Sequence, residues 1–159
     1  MTAEALFKYR NRFPYAQQME SQMNIAPQLA FSGQCRQAFE FYVQLLDGKI
    51  VVMNTFGGNE DRALPPGSTA GEADQIRFAE IRIRDSVLRG NDVPKDQFIP
   101  MKGFSISLHV KKADDARRIF DALSDGGLVT TPLSKVDWAA QFGMVTDKFG
   151  VPWIILGLE

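Results

Sequence analysis

The chain has 159 residues, with 18 basic and 19 acidic side chains, a net charge of −1 and a single cysteine. This balance excludes the basic footprint of a protein that binds nucleic acid or an anionic membrane surface, so we expect neither partner. One cysteine excludes an internal disulfide, which is typical of a reducing compartment. No apolar run approaches the roughly 20 residues that span a bilayer, and no signal-peptide pattern opens the chain. We therefore expect a cytoplasmic globular protein.

Residues 1–26 are predicted to be an N-terminal extension of the domain. Pro14 interrupts any long helix there, and Met23 begins a stretch that reads like a second, more natural domain start. Two interpretations stay open. In the first, the extension is a loosely attached segment or the product of an upstream start codon. In the second, it is an arm that crosses to a partner subunit.

Two segments of the chain repeat one pattern at a constant offset. Residues 38–51 read AFEFYVQLLDGKIV, and residues 116–129, 78 positions later, read ARRIFDALSDGGLV. Each copy has an apolar stripe at helical spacing, a glycine where a helix would end, and a β-branched run. The pattern predicts a duplicated helix-to-strand unit, with any function lying between the copies.

The domain is predicted to span residues 27–159, as two β-α-β-β-β modules of about 27–92 and 103–159 joined by a linker over 93–102. Strands are recognised by alternation and helices by the 3.6-residue period. The predicted strands cover 28–32, 49–54, 75–84, 87–91, 104–110, 128–132, 139–147 and 151–156, and the predicted helices cover 35–46 and 113–124.

The segment over residues 57–74 is rich in Gly, Pro, Ser and Asp. It is too long for an ordinary connection between strands. It is therefore either a mobile lid over a cleft or a disordered loop.

Alternation within the strands gives each sheet an apolar and a polar face. Such a strand packs its apolar side on a helix and presents the other side to water or to a ligand. Two modules side by side would place the helices outside and leave a concave mixed sheet. The side chains predicted to point into this hollow are Gln28, Phe78, Glu80, Arg82, Ser105, Ser107 and His109.

Duplicated β-α-β-β-β modules of this size resemble the vicinal oxygen chelate superfamily of glyoxalases, bleomycin-resistance proteins and extradiol dioxygenases. Four motifs are similar to its PhnB-like branch: LAFSGQCRQAFEFY (29–42), DSVL (85–88), GFSISL (103–108) and WAAQFGMVTDKFGVPW (138–153). The resemblance implies an α+β glyoxalase/bleomycin resistance fold and, commonly, a homodimer. Members of the branch have carried a demethylubiquinone methyltransferase label. This chain has no glycine-rich loop after a strand to cradle a cofactor, so we expect none.

Metal enzymes of the superfamily place one His, Gln or Glu ligand on each of four strands. Serine is a poor ligand for a divalent ion, and isoleucine offers no donor atom. We therefore predict no metal site of the superfamily type, because at most two weak oxygen ligands survive of the four: Gln28, and either Asn91 or Asp92. The matching positions are Gln28 in the first module, Asn91 or Asp92 at the hairpin strand, Ser105 in the second module, and Ile154 or Ile155 on the last strand.

Two ionisable side chains are candidate catalytic residues. His109, the only histidine, is either a cleft-facing general base or donor, or a half-exposed strand residue paired with a carboxylate. Glu80 is either its acid–base partner or half of a structural ion pair with Arg82. Cys35, at a predicted helix N-terminus, has no second Cys or His beside it, which favours an unreactive thiol over a reactive one.

An aromatic group near the C-terminus has two interpretations. Trp138, Phe142, Phe149 and Trp153 either fill the core or offer a platform for a flat ligand. The complete set of predicted ligand-binding residues is Gln28, Phe78, Arg82, Ser105, Ser107, Trp138 and Trp153.

Three functions follow, in order of preference. The first is metal-independent binding of a small organic molecule in the cleft. The second is a divalent-metal-dependent isomerase, lyase or dioxygenase-like enzyme. The third is a structural or regulatory dimeric subunit.

Overall fold

A computed structural model describes residues 25–59, 64, 66–67 and 69–159 of the chain. The interpretations of residues 1–24 lie outside this part of the chain. Residues 60–63, 65 and 68 of the 57–74 loop also lie outside it, so the choice between a lid and a disordered loop stays a prediction. None of the helices in the described residues is long and apolar enough to cross a membrane.

The described residues form the predicted series of strands and helices twice. Within module one (residues 27–92) and module two (residues 103–159), most boundaries fall within one or two residues of the prediction; the largest difference is β6, which continues four residues further. The elements are β1 Gln28–Phe31, α1 Cys35–Leu45, β2 Lys49–Thr55, a 3-10 helix Gly57–Asn59, β3 Ile76–Ile83, β4 Ser86–Asp92, β5 Ile106–Val110, α2 Ala113–Ser124, β6 Leu128–Val136, β7 Ala139–Thr146 and β8 Pro152–Gly157.

Each module folds into one mixed four-stranded sheet with the same strand order. The orders are β1-β4-β3-β2 and β5-β8-β7-β6. The first and last strands of each module pair in parallel, and the remaining neighbours are antiparallel. Because a parallel pair requires a long crossover, the helix and two intervening strands separate its members. The identical order confirms the internal duplication and the α+β class.

One helix covers one face of each sheet. The buried residues of α1 recur at helical spacing, and so do those of α2. A β-carbon on Gly90 of β4 would lie 2.6 Å from Phe39, and one on Gly143 of β7 would lie 2.7 Å from Phe120. Glycine at these two positions therefore lets each helix approach its sheet closely.

A buried carboxylate, Asp147, joins the two modules. The Tyr42 hydroxyl of α1 and the Trp153 indole N–H of β8 donate to its Oδ2 at 2.6 and 2.8 Å. The backbone N–H groups of Phe149 and Val151 donate to Oδ1 at 2.9 and 3.0 Å. Burial raises the pKa of the Tyr42 hydroxyl, and the charge of Asp147 raises it further. Tyr42 therefore stays protonated and remains a donor.

Further contacts between the modules surround this carboxylate. The ring of Phe41 on α1 lies 5.9 Å from that of Phe149, and the Lys148 ammonium lies 4.8 Å from the Phe41 ring centre. Arg118 of α2 donates to the carbonyl oxygen of Leu45 at 3.3 Å. Module two thus meets module one at helix α1.

We predict that Tyr42→Phe lowers the free energy of unfolding at pH 7 by about 1–3 kcal/mol, because it keeps the ring but removes one donor to a buried carboxylate. Asp147→Asn should lower it more, since an amide N–H₂ group must then face one or more of the four N–H and O–H donors. Urea denaturation measures both changes. Glu40→Gln, an exposed substitution on the same helix, should change stability by less than about 0.5 kcal/mol. Equal effects for all three variants would contradict this role of Asp147.

The same hydroxyl predicts a dependence on alkaline pH. Tyr42 keeps its proton in the folded state, whereas an unfolded tyrosine releases it above about pH 10. The unfolded state then binds fewer protons, so the Tyr42 contribution falls by about 1.4 kcal/mol per pH unit above that point. The stability difference between the wild type and Tyr42→Phe should therefore shrink between pH 9 and pH 11. A difference that stays constant over this range would contradict the prediction.

Candidate functional site

Each sheet has one face that its own helix does not cover, which we call the open face. Residues paired directly across two strands share a face, and successive residues alternate. Gly90 lies under α1 and pairs with Ala79 of β3. Their neighbours Arg89 and Glu80, which also pair with each other, therefore lie on the open face.

The open face of module one is largely polar. The structure brings together on it four residues predicted to line the hollow, and their role in binding stays a prediction. By strand register it carries Gln28 and Ala30 of β1, Lys49, Val52 and Asn54 of β2, Phe78, Glu80 and Arg82 of β3, and Val87, Arg89 and Asn91 of β4.

Glu80 forms an ion pair in the middle of this face. Its Oε2 accepts from Nε of Arg89 at 2.9 Å, and the two side chains are only 5% and 19% exposed. The ion-pair interpretation of Glu80 is confirmed, but its partner is Arg89 rather than the predicted Arg82. The reason is that a directly opposite residue on the next strand lies closer than a residue two positions along the same strand. An acid–base role for Glu80 stays a prediction.

Two of the three degenerate metal-ligand candidates lie beside this ion pair. The side-chain amide of Gln28 donates to Oδ1 of Asn91 at 2.7 Å. Within the residues that the structure describes, no three His, Cys, Asp or Glu side chains gather into a group that could hold a metal ion.

The third candidate, Asp92, lies on the other face of the sheet. Its Oδ1 accepts from the backbone N–H groups of Gly33 and Cys35, and its Oδ2 accepts from that of Ile76, at 2.8–3.0 Å. This carboxylate therefore caps the start of α1 from the end of β4. Burial raises the pKa of the Cys35 thiol, and the charge of Asp92 raises it further. The thiol is buried and protonated, which fits the unreactive interpretation.

The open face of module two has an apolar centre on β7 and β8 and polar side chains on both edge strands. By register, Thr131 and Ser134 of β6 share this face. Ser107 and His109 lie on its edge strand β5, with the serine hydroxyl 2.9 Å from Nε2 of the imidazole. His109 therefore has a hydroxyl partner, not the carboxylate that one interpretation expected. Ser105 lies just before β5, outside the strand. The strands beside β5 add Phe142 and Met144 of β7 and Ile154 and Leu156 of β8.

The two tryptophans have different environments. Trp138 is 63% exposed in the turn between β6 and β7, and its ring lies 5.1 Å from that of Phe142. Trp153 is 2% exposed and packs 5.2 Å from the Tyr42 ring. The platform interpretation therefore suits Trp138. Trp153, predicted to bind ligand, is instead a core residue that a ligand in the cleft does not reach, because it faces the helix side of its sheet.

Sequence reasoning missed several residues of the open faces. Arg89 follows from the register of the β3–β4 hairpin, whose turn consists of Arg84 and Asp85. The predicted strands placed this turn one residue later, at Asp85 and Ser86. The apolar residues on the open face of module two lie on strands in which apolar and polar residues alternate poorly. The sequence therefore does not show which face of the sheet each of them occupies. Those residues are Met144, Ile154 and Leu156.

Comparison with known proteins places the chain in a family. The profile of the family described as 3-demethylubiquinone-9 3-methyltransferase matches residues 23–156. Protein YjdN of Escherichia coli K12 is 30% identical over 138 residues, which cover 84% of this chain and 94% of that protein.

Solved structures share the architecture. Protein PA1353 of Pseudomonas aeruginosa is 38% identical with a TM-score of 0.76, covering 86% of this chain and 98% of that one. The PhnB protein of Bacillus cereus is 22% identical with a TM-score of 0.68, covering 83% and 97%. A glyoxylase/bleomycin resistance protein/dioxygenase domain of Frankia sp. EAN1pec is 14% identical with a TM-score of 0.56, covering 87% and 100%.

The last two similarities show the fold, and the profile match and the two closer relatives show the family. The resemblance inferred from the four motifs is therefore confirmed. The chain belongs to the 3-demethylubiquinone-9 3-methyltransferase family, the PhnB-like branch of the vicinal oxygen chelate superfamily.

Proposed function

We propose that this chain is a metal-independent protein that binds a small, flat organic molecule against the open face of module two. The observation that carries the proposal is the exposed Trp138 ring beside Phe142, at the apolar centre of this sheet face. Ser107 and His109 at the edge of that face add a hydroxyl and an imidazole. An apolar surface with a few placed polar groups is typical of small-molecule sites.

The proposal needs no metal ion. Gln28 and Asn91, the two oxygen-bearing candidates on the open face of module one, already hydrogen-bond to each other. Asp92 lies on the other face, where the N–H groups of Gly33 and Cys35 at the start of α1 use its Oδ1 and the N–H of Ile76 in β3 uses its Oδ2.

The proposal also does not adopt the methyl transfer named in the family description. Nucleotide-type cofactors commonly sit where a strand turns into a helix with free N–H groups. At the β1–α1 turn the N–H groups of Gly33 and Cys35 donate to Asp92. At the start of α2 the N–H of Ala113 donates to the carbonyl of Glu159. Oxygens of the chain thus take up two N–H groups at the start of α1 and one at the start of α2.

We further propose a homodimer in which the open face of module one lies opposite the open face of module two of a second copy. The contacts between modules described above are made by α1, which leaves the open faces available. Apolar side chains are also exposed at equivalent positions of the repeat, at the starts of edge strands β2 and β6; they are Ile50, Val51, Leu128 and Val129. Exposed apolar residues on edge strands favour burial against another chain.

We expect a neutral aromatic compound such as N-phenyl-1-naphthylamine to protect Trp138 from iodide quenching and to raise the melting temperature. One of the two tryptophans should be quenchable in the free protein, because Trp153 is buried. Phe142→Ala should weaken binding by about tenfold, as loss of an aromatic anchor commonly does. Ile99→Ala, at an exposed linker position, is the control and should leave affinity unchanged. If no compound in a broad aromatic panel protects Trp138 or raises the melting temperature, the binding proposal is wrong.

Light scattering at micromolar concentration tests the dimer separately. We expect about twice the chain mass of 17.8 kDa. Leu128→Lys should shift the protein towards the monomer, since it places a charge at the proposed contact, whereas Leu158→Lys in the exposed C-terminal tail should not. A monomer mass for the wild type would overturn the dimer.

A further inference from the structure

Two cations on the open face of module one stand directly opposite each other. Lys49 of β2 pairs with Arg82 of β3 in the strand register. Within the described part of the chain, neither side chain has an ion-pair partner. Glu80, the one carboxylate among the described strand residues of this face, is held by Nε of Arg89 at 2.9 Å.

This arrangement is unfavourable for the sheet alone. Like charges directly opposite on neighbouring strands destabilise a sheet, and a carboxylate at either position would stabilise it. Three cations and one carboxylate give the face a charge of +2, whereas the whole chain carries −1. The excess positive charge is thus concentrated on the surface that the proposed cleft requires.

The side chains around Lys49 and Arg82 favour one position for an anionic group on this face. Val87 lies opposite Arg82 on β4, and Val52 lies opposite Glu80 on β2, so apolar side chains flank the cations. The Glu80 carboxylate repels an anion from the neighbouring row. A planar guanidinium binds a carboxylate, sulfonate or phosphate through two parallel N–H···O bonds, and an ammonium adds a further donor.

We propose that Lys49 and Arg82 bind the anionic group of the ligand, so that the ligand is an organic acid with a flat apolar body. The inference rests on the proposed function, which supplies the apolar contact, and adds the charge of the ligand. The acidic group contacts module one while the aromatic body lies on module two of the second copy.

A matched pair of fluorescent probes tests this inference. 1-Anilinonaphthalene-8-sulfonate carries an anionic group, and N-phenyl-1-naphthylamine has the same ring system without it. The wild type should bind the sulfonate more tightly than the neutral probe, with an affinity that falls as salt rises. Arg82→Met and Lys49→Met should each weaken sulfonate binding by about tenfold, the size expected for a lost charge-assisted hydrogen bond. Neutral-probe binding should weaken far less in both variants, because that probe has no group for these cations to hold.

Lys95→Met is the control, because Lys95 is an exposed lysine of the linker away from this face. All variants should melt within about 2 °C of the wild type. If the neutral probe binds but Arg82→Met and Lys49→Met leave sulfonate affinity unchanged, the anion site is wrong and the proposed function stands. If neither probe binds the wild type, the proposed function itself fails.

Discussion

The structure depends on one buried carboxylate more than on any other polar group. Asp147 accepts hydrogen bonds from α1 of module one, from the indole of β8 and from two N–H groups of its own turn. A buried charge is tolerated only when its lone pairs are satisfied, so both modules must be folded and in place to satisfy it. This interaction therefore links the stability of one half to the presence of the other, and the open face of each sheet takes no part in it.

The open faces distinguish the two halves chemically. The repeated elements keep one strand order and one helix stripe, because these determine packing. The open faces share no such constraint: module one carries Arg82, Arg89 and Glu80, and module two carries Phe142 and Met144. The duplicated halves thus present one charged surface and one surface with an apolar centre. Together they suit a ligand with two different ends.

The sequence predicted the elements well because alternation and helical spacing directly reflect burial. Ala79, Ile81 and their polar neighbours fell on the predicted faces. Contacts that depend on register were harder to predict. Arg89 rather than Arg82 pairs with Glu80. The orientation of Trp153 towards the core could not be predicted because β8 is apolar on both faces. The link between Tyr42 and Asp147 joins residues 105 positions apart in the chain. No local pattern indicates such a pair.

Asp92 has a consequence for how this family can change. Its two oxygens hold the beginning of α1 and the N–H of Ile76, where the chain re-enters the sheet after residues 57–74. The backbone N–H of Phe56 donates to the carbonyl oxygen of Gln75, and that of Gly57 donates to the carbonyl oxygen of Ala73. These hydrogen bonds hold the two ends of the segment together. Loop-closure entropy grows only slowly with length once the ends are fixed. The segment can therefore gain or lose residues during evolution with little effect on the sheet, which makes it a natural site for insertions and for engineered grafts.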